Sequence, residues 1–210
     1  MKFRVFVDGE AGTTGLQIYE RLSKRDDVEI LRIAPELRKD AEERKRLMND
    51  SDVTFLCLPD AAATESASLC TNPKTRIIDA STAHRTNPAW AYGLPELSPE
   101  FRKAIQKNPR IANPGCHASG FILGVYPLIA AGLLKKNADL ATYSLTGYSG
   151  GGKKMIANYE TEGAQVSHPG MSPRLFAPRP DALGHLHKHL PEMQKVCGLE
   201  NPPIFSRGVG

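Results

Sequence analysis

Cys116 stands in the segment NPGCHASG (113–120), directly before an apolar run that predicts a helix over residues 116–134. A thiolate in the first turn of a helix is stabilised by the helix dipole and by unpaired backbone N–H groups, which lowers its pKa. The same N–H groups can hold an oxyanion. The tight Pro-Gly entry therefore predicts a nucleophile at Cys116, where an isolated cysteine would be read as inert and buried. We expect that inert role for Cys57, Cys70 and Cys197.

Histidines occupy every second position of the segment GHLHKHLPE (184–192), at His185, His187 and His189. In an extended chain this spacing places the three side chains on one face. A zinc site would need a Cys or carboxylate ligand that the segment does not supply, so a general acid/base beside a thiolate is favoured and no metal is expected. His187 and His189 are the candidates, the spacing does not separate them, and we expect His185 to be structural.

Three glycines, Gly9, Gly12 and Gly15, lie between a predicted strand and a predicted helix. Glycines at such a turn let the backbone approach a pyrophosphate, whose charge then lies at the helix N-terminus. The spacing is GxxGxxG and not GxGxxG, and a plain tight turn is the alternative. With Thr13 and Thr14, which lie between the last two glycines, this turn is the candidate dinucleotide site.

The end of the second predicted strand carries cations in place of the carboxylate that NAD-binding sites usually have there. Arg38 and Lys39 follow it, with Glu36 nearby. Cations at this position favour a ribose 2′-phosphate, so NADP is the expected cofactor. The alternative is that Arg38 and Lys39 form a solvated helix face.

Two further segments are candidates for ligand contacts. DASTAHR (79–85) follows a strand, at the edge where open α/β sheets bind ligands. Ser81 and Arg85 in this segment, together with Asn113, are the candidate substrate contacts, and a capped turn with a surface arginine is the alternative. A second glycine loop precedes a predicted helix and could contact the cofactor through Ser149, Gly150 and Gly151.

Alternating strand and helix patterns run through the first 80 residues and predict a Rossmann-type doubly wound parallel sheet. Prolines punctuate residues 86–115, and a strand is predicted over 140–146. We place a domain boundary near residue 112, giving a cofactor domain (1–112) and an incomplete mixed α/β catalytic domain (113–210). The last ten residues show no helix, cap or closing strand. The predicted elements of the first half are strands 3–7, 28–33, 53–58 and 76–79, and helices 13–23, 36–48 and 61–70.

Composition narrows the class of protein. The chain has 210 residues, 40% of them hydrophobic and 24% charged, which is typical of a globular protein and excludes disorder. The net charge of +4 suits an anionic substrate but is too small to indicate nucleic-acid binding. The start reads as a strand, not a signal peptide, and the longest apolar run (121–134) is too short for a membrane span. Four cysteines without a CxxC pair favour a reducing compartment, so we expect a cytoplasmic protein.

Six motifs in order resemble those of the N-acetyl-γ-glutamyl-phosphate reductases of arginine biosynthesis, and are most similar to the shorter, second subfamily. The likeness covers residues 2 to about 206, and the motifs are GEAGTTG, DASTAHR, YGLPEL, ANPGCHASG, GYSGGGK and HKHLPEM. The resemblance implies an NADP domain and a catalytic and oligomerisation domain. It also implies NADPH-dependent reduction of N-acetyl-L-glutamyl 5-phosphate to the 5-semialdehyde through a cysteine thioester.

The resemblance assigns roles to the motif residues. Cys116 matches the nucleophile, the His187/His189 segment supplies the acid/base, Ser81 and Arg85 match a substrate-contact segment, and residues 12–15 match the cofactor turn. Family members continue past the position of Gly210, so we expect a chain truncated at its C-terminus. Aspartate-semialdehyde dehydrogenase, which has a similar fold and similar cysteine chemistry, is one alternative. The other is a truncated, non-catalytic NADP-binding protein.

Overall fold

The computed structural model describes residues 2–10, 12–153, 155–157, 159, 178–181 and 183–209. Its backbone divides into two units, Met1–Pro127 and Leu128–Gly210. Residues 161–184 are rich in Pro, Gly and His without periodicity, which predicts a long functional loop, and most of them lie outside the described residues. Among the residues described, no helix is long and apolar enough to cross a membrane.

The first unit is built on a six-stranded sheet in which every pairing is parallel, in the order β2-β1-β3-β4-β6-β5. Strand order reverses direction between β1 and β3, the switch point at which ligands of open α/β sheets bind. The doubly wound parallel sheet predicted from the alternating elements is confirmed. The strands are β1 (Phe3–Asp8), β2 (Val28–Leu31), β3 (Val53–Leu56), β4 (Arg76–Asp79), β5 (Ala91–Tyr92) and β6 (Arg110–Ala112).

Four helices connect strands of this unit: α1 (Thr13–Leu22), α2 (Ala41–Asp50), α3 (Asp60–Leu69) and α4 (Pro99–Lys107). A fifth helix, α5 (Cys116–Ala130), begins in this unit after β6. Helices and sheet enclose an apolar core that includes Phe6, Met48, Leu56 and Ile77, each at most 1% exposed. Strands covered on both faces lose the alternation of polar and apolar residues, which is why the consecutive residues Val5, Phe6 and Val7 of β1 are all apolar and buried.

One prediction for this unit was wrong in detail. The single helix expected over 36–48 is a 3₁₀ turn (Pro35–Leu37) followed by α2, because Asp40 caps the new helix and accepts a hydrogen bond of 2.8 Å from the Glu43 amide. The proline-rich stretch 86–115 contains β5, α4 and β6. Pro99 follows the cap Ser98 at the first turn of α4, where the missing amide hydrogen costs nothing.

A buried ion pair ties three elements of the first unit together. Asp8 at the end of β1 and Arg44 of α2 are 4% and 7% exposed. The Arg44 guanidinium donates two hydrogen bonds to Asp8 Oδ2, at 2.9 and 3.1 Å, and the Ser66 hydroxyl of α3 donates a third at 2.6 Å. A buried charge is tolerated only when it is paired and hydrogen-bonded, so this network sets how α2 and α3 pack against β1.

The second unit contains a three-stranded mixed sheet in the order β7-β9-β8. Strand β9 (Ile204–Val209) runs parallel to β7 (Ala141–Thr146) and antiparallel to β8 (Arg179–Asp181). Helix α6 (Leu190–Cys197) contributes Met193, which is fully buried, to the core of this unit.

The expectation that the last residues lack a closing strand was wrong, because β9 is the central strand of this sheet. The run IFSRGV gives little strand signal by itself, since Arg207 and Gly208 interrupt the pattern of apolar residues. Its partner β7 lies some sixty residues earlier in the chain, and only the pairing of the two reveals the strand.

We expect Arg44→Ala to lower the free energy of unfolding by about 3–5 kcal/mol, because it leaves the buried Asp8 carboxylate without its cation. Urea denaturation of the purified chain measures the change. Arg46→Ala on the same helix is the matched control: its ion pairs with Glu43 and Asp50 are solvent-screened, so the loss should be much smaller. Equal losses in the two variants would contradict the structural role of the buried pair.

Candidate active site

Cys116 is the first residue of α5, four residues after β6 ends at Ala112. The turn is closed at its base by Gly115, whose carbonyl accepts hydrogen bonds from the Ser119 amide at 2.8 Å and from the Ser119 hydroxyl at 2.9 Å. Gly115 is buried while Cys116 is exposed. The thiol is therefore presented to solvent at the N-terminus of a long helix, as the motif predicts.

The other three cysteines are placed differently. Burial raises the pKa of the Cys57 thiol to about 12, with a further contribution from the negative charges of Asp79 and Asp8. Burial likewise raises the pKa of Cys197 to about 11. Cys70 is buried against the core of the first unit. Cys116 is the one exposed cysteine in the chain, and all four are free thiols.

Asp79, at the carboxyl end of β4, organises the loop that follows it. Its side chain is fully buried and accepts hydrogen bonds from the Ser81 amide (2.9 Å), the Ser81 hydroxyl (2.7 Å) and His84 Nδ1 (2.6 Å). The His84 ring also stacks on Trp90, with 3.9 Å between centroids. Asp79 and His84 are not among the predicted site residues, although an acidic residue that ends a buried strand within the DASTAHR motif was a usable signal.

This loop also holds the turn that carries the cysteine. The Asn113 amide donates to the Asp79 carbonyl at 2.8 Å, and Arg85 Nε donates to the Asn113 carbonyl at 2.8 Å. An Arg85 Nη group donates to the Ala80 carbonyl at 3.0 Å. Of the residues predicted to contact substrate, Ser81 and Arg85 thus bind the protein's own loops. The Asn113 side chain is exposed, three residues before Cys116.

The glycine turn is shaped by close backbone approach. Gly9 has φ +90°, and a Cβ atom there would overlap the Cys57 carbonyl oxygen. A Cβ at Gly15 would overlap the Gly9 carbonyl and lie 2.8 Å from the Glu10 Cα. Gly12 is the N-cap of α1, and its amide donates to the Gly9 carbonyl at 2.9 Å. Glycine is required at positions 9 and 15, and the resulting turn opens directly into the N-terminus of α1.

A cavity of about 420 Å³ adjoins this turn, at the switch point of the sheet. Its walls include Gly9 and Glu10 from the turn, Ile33 beyond β2, and Arg38 and Lys39. Both cations lie between the 3₁₀ turn and α2, so neither is on a helix face. A glycine-lined turn at a helix N-terminus, with two exposed cations beyond the second strand, fits a dinucleotide that carries a 2′-phosphate.

A second cavity, also of about 420 Å³, lies in the second unit and brings together two predicted segments. Gly150 and Gly151 of the glycine loop line it, as do His187, Lys188 and Arg207. Ser149 belongs to the same 3₁₀ turn, Tyr148–Gly151, and is exposed. The described residues after this turn, up to 159, are helical, as predicted. Arg207 was missed because a single arginine in a short terminal strand has no motif around it.

The histidine segment is not extended, so the prediction that its three side chains share one face was wrong. His185 has φ +51° and is exposed, whereas His189 has helical backbone angles and caps α6. His187 and His189 are brought together, with 4.7 Å between ring centroids, and the His187 ring also lies 4.9 Å from that of Phe205.

The two candidate histidines have different environments. His189 is 5% exposed. His187 is half-buried and lines the cavity, and its Nδ1 atom accepts a hydrogen bond of 3.2 Å from the His189 amide. Because Nδ1 is the acceptor, the neutral His187 ring carries its proton on Nε2. Cys116 belongs to the first unit and both histidines to the second.

Comparison with known protein families divides the chain in two. Residues 4–105 match the family described as "Semialdehyde dehydrogenase, NAD binding domain". Residues 116–205 match "Semialdehyde dehydrogenase, dimerisation domain". The two matches flank the segment that leads into Cys116.

Solved structures of aspartate semialdehyde dehydrogenases share the fold. The chain aligns with the enzyme II from Vibrio cholerae at a TM-score of 0.70 and 16% identity, covering 99% of this chain and 70% of that one. The enzyme from Candida albicans aligns at a TM-score of 0.62 and 15% identity, covering 100% and 68%. At these identities the likeness shows the fold alone.

Curated relatives are closer in sequence. A protein of Nostoc sp. named N-acetyl-gamma-glutamyl-phosphate reductase 2 is 45% identical, over 100% of this chain and 64% of its own length. The N-acetyl-gamma-glutamyl-phosphate reductase of Chelativorans sp. is 46% identical over 100% of this chain and 65% of its own. The chain spans just under two thirds of the length of such relatives. It belongs to the semialdehyde dehydrogenase superfamily, in the group of relatives named N-acetyl-γ-glutamyl-phosphate reductase.

Proposed function

We propose that this chain acts in the NADPH-dependent reduction of N-acetyl-L-glutamyl 5-phosphate to N-acetyl-L-glutamate 5-semialdehyde, a step of arginine biosynthesis. The observation that carries the proposal is an exposed thiol at the N-terminus of α5, held by a strand–turn–helix segment in a chain whose relatives bear the reductase name. A thiol so placed suits attack on an acyl phosphate, because the helix N-terminus stabilises both the thiolate and the oxyanion that forms.

In the proposed reaction, the Cys116 thiolate attacks the γ-carbonyl carbon. A carbon–sulfur bond forms, the bond to the phosphate oxygen breaks, and phosphate leaves with the bonding electron pair. The enzyme-bound thioester is a better hydride acceptor than an ester, because its carbonyl is less stabilised by resonance. NADPH, when bound, supplies that hydride. Collapse of the resulting tetrahedral adduct releases the semialdehyde and returns the Cys116 thiolate.

His187 is the histidine we assign to proton transfer, and His189 the one that positions it. His187 lines a cavity, and its neutral ring carries its proton on Nε2 when Nδ1 accepts a hydrogen bond from the His189 amide. A group of this kind can stabilise or protonate the oxygen of the tetrahedral adduct. His189 is nearly buried and begins α6, so its amide fixes the tautomer of its neighbour.

We assign cofactor binding to the first glycine turn and to the cations Arg38 and Lys39. The backbone at Gly9, Gly12, Thr13, Thr14 and Gly15 would hold the pyrophosphate at the start of α1. Arg38, assisted by Lys39, would bind the 2′-phosphate. The second glycine loop, Ser149–Gly151, is kept as a further contact with the cofactor.

The three predicted substrate contacts, Ser81, Arg85 and Asn113, have different roles in this proposal. Ser81 and Arg85 hold the loop and the cysteine turn in place through hydrogen bonds to protein atoms, which supports a positioning role. Asn113, exposed next to the turn, is the member of this set best placed to contact substrate directly.

The functional division we propose is a cofactor domain of residues 1–112 and a catalytic and oligomerisation domain of residues 113–210. The family matches that end at residue 105 and begin at residue 116 support it, although the compact backbone units divide later, at Pro127. The name of the second matched family supports assembly with further copies of this chain. A cytoplasmic location fits the four free thiols.

Reaction with iodoacetamide at pH 8 should modify Cys116 first. Cys57 and Cys197, with pKa values of about 12 and 11, stay protonated at that pH, and Cys70 is buried. Peptide mass spectrometry locates the label, and Cys116→Ser is expected to abolish the fast phase. Fast labelling at any other cysteine would contradict the assignment.

Turnover tests the reaction itself. The chain should reduce NADP⁺ in the presence of N-acetylglutamate semialdehyde and phosphate, and Cys116→Ser should lose this activity. Faster reaction of aspartate semialdehyde would favour the related dehydrogenase, and NADP binding without any turnover would favour a non-catalytic role. Normal turnover in the serine variant would refute Cys116 as nucleophile.

Arg38→Glu should weaken NADPH binding by about 10- to 100-fold, because one charge-assisted hydrogen bond is lost and a repulsive charge is added. The affinity for NADH should change far less, because NADH lacks the 2′-phosphate. Fluorescence titration of both cofactors measures the difference, with Arg102→Glu on the exposed face of α4 as the control. Equal losses for both cofactors would contradict a 2′-phosphate contact.

His187→Asn should lower turnover by about 10²- to 10⁴-fold, the range for loss of a general acid/base. His185→Asn is the matched control, because this exposed histidine lies two residues away and does not line the cavity. Turnover rates of the two variants, measured with the same substrates, decide the point. A larger loss for His185→Asn would refute the assignment of His187.

A further inference from the structure

Strand β9 carries a cation where its pattern calls for an apolar side chain. Phe205, Arg207 and Val209 alternate along the strand and so point to the same face of the sheet. Phe205 and Val209 are each 1% exposed, which makes this the covered face. Arg207, between them, is half-buried and lines the cavity of the second unit. Arg207 therefore brings a guanidinium group to the wall of the cavity that His187 also lines.

The other walls of this cavity are also suited to an anion. Lys188 adds a second cation, and it lies next to His187 in the chain. Gly150 and Gly151 bring backbone without side chains to the cavity wall. None of the described residues that line the cavity carries a carboxylate. Asp181 stands opposite Arg207 in the register of β8 and β9 and is the nearest acidic position in the sheet.

A cation in this cavity would bind an anionic group of the substrate, whereas the hydrogen bonds of Arg85 support a positioning role. Arg85 donates to the carbonyls of Asn113 and Ala80, so part of its guanidinium group holds the cysteine turn. The substrate of the proposed reaction has two anionic groups, a phosphoryl group and a carboxylate. Guanidinium groups bind both through paired hydrogen bonds.

We propose that Arg207 and Lys188 form an oxyanion-binding site next to His187, which takes the phosphoryl group or the carboxylate of the substrate. This inference rests on the proposed function, since it assigns the site to that substrate. Arg207 is in this view a substrate-binding residue that sets the position of the acyl group relative to His187 Nε2.

Histidine side-chain NMR signals of the full 210-residue chain test the proposal by binding alone. Inorganic phosphate and N-acetylglutamate are titrated separately at constant ionic strength, and the His187 signal is identified by its loss in His187→Asn. We expect a saturable shift of the His187 signal with at least one ligand. Phosphate alone would indicate the phosphoryl group, and N-acetylglutamate alone the carboxylate. A response to both would indicate a general oxyanion site.

Variants locate the ligand. Arg207→Gln should weaken binding at least tenfold, and Lys188→Gln, at an exposed position, should weaken it without a risk to folding. Lys135→Gln, an exposed lysine of the same unit outside the cavity, is the control and should change nothing.

The absence of any saturable shift, or equal binding in the wild-type chain and in both cation variants, would overturn the proposal. The amide spectrum of Arg207→Gln checks that this variant folds, and Lys188→Gln keeps the test decisive if it does not. Because no turnover is measured, failure here leaves Cys116 chemistry untouched. Binding that persists in an inactive chain would instead count against the proposed function alone.

Discussion

One buried carboxylate holds the first unit's candidate site in place. Asp79 ends β4 with its side chain fully enclosed, so each of its oxygens must be matched by a donor, and the Ser81 amide and hydroxyl and His84 Nδ1 supply them. Its backbone carbonyl receives the Asn113 amide, at the start of the turn that leads to Cys116. The position of the thiol thus depends on a neighbouring strand's loop, far away in sequence.

The candidate cofactor site of this unit depends on a different constraint, the steric restriction at the glycine turn. The Cys57 carbonyl and the backbone at Glu10 approach the glycine turn so closely that no side chain fits at Gly9 or Gly15. Three cations lie near this turn, and their burial separates their roles. Arg44 neutralises Asp8 inside the fold, while Arg38 and Lys39 stay exposed on the cavity wall and keep their charges available for a ligand.

The second unit concentrates its chemistry on one cavity. A glycine loop, His187 and the cations Lys188 and Arg207 come from three separate stretches of chain and meet there. The hydrogen bond from the His189 amide to His187 Nδ1 gives each of two neighbouring histidines its own part, one facing the cavity and one supporting it. Sequence spacing does not distinguish His187 from His189, whereas their backbone angles and burial do.

Local patterns were sufficient for much of this protein. Residue patterns were enough to predict the parallel α/β class, the glycine turn and a cysteine at a helix start, because these features depend on residues close together in the chain. Short or proline-rich elements such as β6, α4 and β9 were not predicted, since their signals come from capping and from distant strand pairing. Tertiary structure alone decided that Arg85 holds the cysteine turn, that Asp79 is the hub of its loop, and that Arg207 reaches the cavity of His187. Such roles depend on which groups are buried and what they meet across the fold, and burial is a property of the packed chain rather than of any segment in it.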